Sequence, residues 1–156
     1  MADRLSASIE IGGMLDARLV PELVAAALLD HGCSGWDEPA IDETMVTSGR
    51  TLEVFGTGLI GGRFEHLEVF CMAHGLSFKL RADSSPGNFG RERALYNGKG
   101  QARVFEESEG GYVVVSRGAI RKLGSMEAIE RWFASAEAVI PPLTLTDRPE
   151  PRGSDQ

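Results

Sequence analysis

At 156 residues, with 42% hydrophobic and 25% charged, the chain has the composition of one soluble globular domain, long enough to bury a core without cross-links. A formal net charge of −7 argues against broad contact with nucleic acid or anionic lipid. The longest apolar run, Leu23 to Leu29, falls far short of the roughly 20 residues of a membrane span.

The opening Met1-Ala2-Asp3-Arg4 carries no basic-then-apolar signal, so a cytoplasmic location is expected, with Cys33 and Cys71 as thiols. Residues 5–11 alternate as a strand, with Leu5, Ala7, Ile9 and Ile11 on one face, and Gly12-Gly13 is expected to end it. A helix follows from about Leu19, with Pro21 tolerated in its first turn and Val20, Leu23, Val24, Ala27 and Leu28 as its buried stripe. Gly32 after His31 reads as a left-handed stop. Residues 33–42 are acidic and irregular, anchored by Trp36, and residues 44–47 read as a short strand turning back into residues 51–55.

A glycine-rich turn at 56–62 leads into a second helix over 63–74, whose Phe64, Leu67, Phe70, Cys71 and His74 recur at helical spacing, and then into a strand at 76–81. This strand–turn–helix–strand pattern repeats the N-terminal one at an offset of forty-three residues: Ile9 falls on Leu52, Gly13 on Gly56, Glu22 on Glu65, and His31-Gly32 on His74-Gly75. Two such units joined by a hairpin form the ferredoxin-like arrangement, so the expected fold is α+β with a duplicated β-α-β. Residues 84–100 contain four glycines and no long apolar period, and are expected to be a surface loop with a turn of helix near Arg93. Residues 102–106 and 112–115 make a β-hairpin. Ser125 caps a last helix with Ile129, Trp132, Phe133 and Ala136 facing inward. Pro141-Pro142 stops that helix; the domain is expected over residues 1–143, with 144–156 as a disordered tail.

Four segments invite chemistry. Gly56-x-Gly58-x-x-Gly61 sits between a strand and a helix, as in dinucleotide sites, but Glu65 and Glu53 are out of place there and no further strand–helix unit follows Asp83. His31, Cys33, Cys71 and His74 resemble a zinc set on paper. Zinc needs its donors at about 2.0–2.3 Å from one point, and antiparallel helices hold the two pairs apart, so neither a metal nor a cofactor is expected. Nucleophilic catalysis has no supporting frame around the three histidines, so no catalytic residue is assigned. The basic and aromatic residues from Phe89 to Arg103 have the types that grip single-stranded nucleic acid, against an overall charge that repels it.

The charge is also unevenly spread. Residues 1–57 hold ten acids against three bases, and residues 79–103 hold six bases against two acids, which suggests one acidic and one basic surface. The run from Arg63-Phe64-Glu65-His66-Leu67-Glu68 through Ala73-His74-Gly75-Leu76-Ser77-Phe78, with Asp83 beyond and an Ile9-x-Ile11-Gly12-Gly13 strand before it, resembles small acidic proteins of bacterial phage and plasmid accessory regions over about a quarter of the chain. That resemblance brings no activity with it. It implies a context in which a small protein binds and blocks a host protein.

These readings favour a non-enzymatic protein-binding module. The candidate contacts are Trp36 with Asp37, Glu38, Asp42 and Glu43, or Phe89, Arg91, Arg93 and Tyr96. The alternatives are a small ligand- or anion-binding domain using the 56–62 turn, and homo-oligomeric association through an open sheet face or edge.

Overall fold

The apolar alternation that begins at Leu5 builds the strand around which the sheet forms. In the computed structural model, which describes residues 4–84 and 90–147, β1 (Arg4–Asp16) pairs antiparallel with β2 (Leu52–Ile60) on one side and β3 (Ser77–Ala82) on the other. The chain then meanders through β4 (Arg91–Tyr96), β5 (Arg103–Glu107) and β6 (Val113–Val114), each antiparallel to its predecessor. A last strand, β7 (Leu143–Thr146), lies parallel to the end of β1. Among the described residues the protein is mixed α+β, a mostly antiparallel seven-stranded sheet in the order β2-β1-β3-β4-β5-β6 with four α-helices.

Helices α1 (Val20–Leu29) and α2 (Glu65–His74) cover one face. Leu23 and Ala27 of α1 and Leu67 and Cys71 of α2 meet Ile9, Ile11, Val54 and Phe78 of the sheet in one continuous core. Fully burying a side chain such as Ile9, Leu23 or Phe78 contributes about 1.5–3 kcal/mol each. The other face carries a smaller cluster of Leu95, Phe105, Ala136 and Ile140, brought by α4 (Met126–Ala136) and the segment after it; α3 (Arg117–Leu123) precedes α4.

Several expectations are corrected. The strand at 44–47 does not form: Asp42 caps Thr44 through its backbone amide at 2.8 Å and its hydroxyl, and Glu43–Met45 becomes a 3-10 turn. Local side-chain bonding of this kind competes with a strand ladder. The first β-α-β unit is therefore not completed as a strand; only Cys33 bridges to Phe55 beside β2. Gly12-Gly13 does not end β1. A Cβ on Gly12 would lie 1.6 Å from the Pro141 carbonyl oxygen, so its bareness lets the 140–142 segment cross and β7 dock. That crossing puts residues 143–146 in the sheet, although 144–146 were expected in a tail; residues 148–156 lie outside the described range. Gly32 is not the left-handed residue either. His31 takes that conformation (φ 57°), while a Cβ on Gly32 would meet Val54 Cγ1 at 2.4 Å.

Within the expected 84–100 loop, Arg91–Tyr96 is strand β4 and not a turn of helix. Its apolar residues run consecutively because both sides are covered: Ala94 and Tyr96 enter the larger core and Leu95 the smaller one. In α4 only Ala136 is buried; Ile129, Trp132 and Phe133 are half-buried. Beyond the Leu95 and Phe105 it meets, the sheet face turns polar towards β1, with Lys79 and Glu10 next in register.

Candidate interaction surface

The segment after α1 is tied to the sheet before it turns outward. Cys33 and Phe55 exchange two backbone hydrogen bonds, both 2.8 Å, and Ile41 N donates to Gly32 O at 3.1 Å. Between these ties, Ser34 N donates to Pro39 O (2.9 Å) and Glu38 N to Gly35 O (3.2 Å), which folds residues 34–39 into a tight turn with Trp36 at its tip. Asp37 takes a left-handed conformation (φ 61°), a region that aspartate tolerates better than most residues.

Trp36 packs edge-on against Phe55, with ring centroids 5.0 Å apart and planes at 68°, yet 50% of it remains exposed. Phe55 projects from the sheet face opposite Val54, so the indole sits at the β2 edge of the less covered face. Asp37, Glu38, Asp42 and Glu43 are all exposed, and among the described residues none of them is in an ion pair. Five of the nine candidate contacts therefore lie on one loop. Their local structure is fixed by Phe55 and by the buried Ile41 and Val46.

The second group does not gather on a surface. Phe89 lies outside the described residues. Arg91 pairs with Asp83 (3.5 Å) and reaches towards Glu107 (3.9 Å). Arg93 is buried: its Nε donates to Glu107 at 2.5 Å, Nη1 to Ala136 O at 2.8 Å and Nη2 to Gly111 O at 3.2 Å. Tyr96 is buried against Phe78, with ring centroids 5.5 Å apart. These residues hold β4, β5 and α4 together, with the fully buried Glu107 as the hub for Arg81, Arg91 and Arg93.

The acidic and basic halves of the sequence meet on one sheet face. In register, Glu53 stands beside Glu10, Glu10 beside Lys79, and Arg81 beside Arg93. Desolvation, reinforced by the Arg93 and Arg81 charges, pulls the Lys79 ammonium below its ordinary value. The face thus changes sign from β2 to β4.

No family model matches the chain, and no curated protein or solved structure matches it significantly.

The expected 56–62 turn, the other candidate, is mostly strand: residues 56–60 belong to β2, and only Gly61-Gly62 turn before α2. Gly58, Gly61 and Gly62 all have positive φ, and α2 begins just beyond them. Three amides at its start are already engaged. Phe64 N donates to Glu68 Oε2 (3.0 Å), while His66 N and Leu67 N donate to Asp30 at 3.2 and 2.9 Å. Glu68 also pairs with Arg63, and Asp30 Oδ1 lies 2.8 Å from His66 Nδ1. An incoming phosphate would have to displace two buried carboxylates from the positive end of the helix. Asp30 and His66 escaped the sequence reading because the cap comes from another helix, thirty-six residues away; no local spacing encodes it.

The four-residue zinc set does not assemble. Among the described residues no three His, Cys, Asp or Glu side chains are placed to hold a metal ion. Cys71 is fully buried, and desolvation, with the Glu68 charge adding, pushes its thiol up to about 12.

Proposed function

We propose that the protein is a non-enzymatic binding module that engages another protein through the Trp36 loop. One observation carries this reading: a half-exposed indole, seated on Phe55, stands among four exposed carboxylates that have no ion pairs among the described residues. A pre-positioned aromatic loses little side-chain freedom on binding, and Trp is enriched at the residues that dominate interface energetics. The surrounding carboxylates select a partner with a basic surface and speed the encounter at low salt. The sequence resemblance sets this in the context of a mobile genetic element, with the module as an accessory or inhibitor protein acting on a host protein.

Architecturally, we read β1, β2 and β3 with α1 and α2 as a ferredoxin-like core whose second strand is reduced to the Cys33–Phe55 bridge. Support comes from β2 and β3 flanking β1, with both helices on one face. The alternative, an anion site at the 56–62 turn, has less support because Asp30 and Glu68 already take the α2 amides.

The test is quantitative capture with Trp36→Ala and with the charge-reversed pair Asp37→Lys/Glu38→Lys. A protein retained by the immobilised wild type is identified, and its affinity for each variant is measured. Loss of about 2 kcal/mol or more with Trp36→Ala, and weakening by the charge reversal that fades at high salt, are expected. Unchanged affinity in both variants refutes the assignment. Because Trp36 is half-exposed, its replacement leaves the melting temperature nearly unchanged, which separates lost binding from lost folding.

A further inference from the structure

A cavity of about 310 Å³ lies between the β4–β5 hairpin and the segment that joins α4 to β7. It shares no residue with the Trp36 loop. Leu95 and Ile140 supply apolar surface, Asn97 and Ser135 supply polar groups, and Lys99 and Arg103 supply charge. Among the described residues no aspartate or glutamate lines it. Among the described residues, no carboxylate pairs with Lys99 or Arg103, whereas Arg63, Arg81, Arg91 and Arg93 each have one.

Both walls are set by the fold before any ligand arrives. On the hairpin side, a Cβ on Gly98 would lie 3.0 Å from the Gly75 carbonyl oxygen, so the turn rests against the end of α2. On the other side, Pro141 crosses Gly12 at a distance no side chain would permit, and Ile140 is buried beneath it. Arg103 is aimed as well. Its Nη1 donates to Ser135 Oγ at 2.9 Å, the Ser135 hydroxyl donates to Trp132 O at 2.7 Å, and the guanidinium carbon lies 5.1 Å from the Phe105 ring centroid. A guanidinium held by a neutral hydroxyl and an aromatic face keeps its charge unneutralised and its remaining donors available.

We propose that this cavity binds a small organic anion: a carboxylate or sulfonate head on a flat apolar body. The head would pair with Arg103 and Lys99, and the body would lie against Leu95 and Ile140. Ligand sites of this kind are concave and mostly apolar, with a few placed polar groups, and have volumes from about 300 Å³ upward. A net charge of −7 on the whole molecule disfavours polyanions, and a small monoanion entering two local positive charges escapes most of that repulsion.

The test uses 8-anilinonaphthalene-1-sulfonate as the probe, followed by fluorescence and by amide chemical shifts in ¹⁵N-labelled full chain. Wild type should saturate at one site, with shifts confined to Ser77 and residues 95–103 and 135–141. Lys99→Met/Arg103→Met should weaken binding at least tenfold. Ala138→Trp, which fills the cavity from an exposed lining position and leaves both charges, should do the same. Circular dichroism and melting of both variants verify the fold. The proposal is overturned if wild type shows no saturable binding at millimolar probe, if the shifts map elsewhere, or if either folded variant binds within threefold of wild type.

Discussion

Asp30 offers the sharpest test of how the two helices are joined. Its carboxylate, at the end of α1, is 6% exposed and accepts from His66 N, Leu67 N and the His66 ring, so one side chain caps α2 and ties it to α1. Asp30→Ala leaves two helix amides without a partner, which costs about 1 kcal/mol or somewhat more. It also removes a bond from a charged group to the His66 ring, worth up to about 1 kcal/mol once the half-exposure of that ring is allowed for. The expected total is about 2 kcal/mol, which for a chain of this size lowers the melting temperature by roughly 4–8 °C. Urea unfolding followed by circular dichroism reads this as a lower midpoint at unchanged m-value. His66→Ala should cost under about 1 kcal/mol, and most of the Asp30→Ala loss should persist in that background, because the backbone caps carry the larger share. An Asp30→Ala cost below about 0.5 kcal/mol, or one that vanishes without the His66 ring, would refute the capping argument.

Two further outcomes follow from buried groups. Glu107→Gln leaves Arg81, Arg91 and Arg93 around a neutral amide and should cost about 3–5 kcal/mol in urea unfolding, with a loss below about 1 kcal/mol contradicting the hub assignment. The raised Cys71 thiol means the folded state holds its proton more tightly than the unfolded one. Its stabilisation is therefore complete below pH 9.0 and is lost progressively as pH rises towards about 12. Cys71→Ala should remove that alkaline slope, and native wild type at pH 8 should resist iodoacetamide at Cys71 under conditions that alkylate it in urea; ready alkylation of the native protein would contradict the burial.

The elements that sequence reading located best are those whose pattern is local. The alternation from Leu5 to Ile11 and the helical spacing of Leu23, Val24 and Ala27, or of Leu67, Phe70 and Cys71, describe single faces that meet one core. β4 was hidden because Ala94, Leu95 and Tyr96 are buried on two sides at once, which erases alternation. The 44–47 segment looked like a strand by composition, and Asp42 redirected it through bonds to Thr44. The exposed acids near Trp36 were legible from their polarity. By contrast, Arg93 and Glu107 look like surface residues in one dimension, and their pairing is visible only when β4 lies beside β5. Gly32 was recognised as necessary for the wrong reason, since its neighbour Val54 comes from a strand that no local window contains.

The docking of β7 on β1 also bears on how the molecule comes together. Thr146 Oγ1 donates to Leu15 O across 131 positions of chain, so this edge is sealed by partners that are among the most remote in the protein. Ends that far apart meet late and at an entropic cost that grows with loop length. A nascent polypeptide held short of Leu143 would present the last residues of β1 unzipped, with the backbone of residues 13–16 open to whatever strand arrives first.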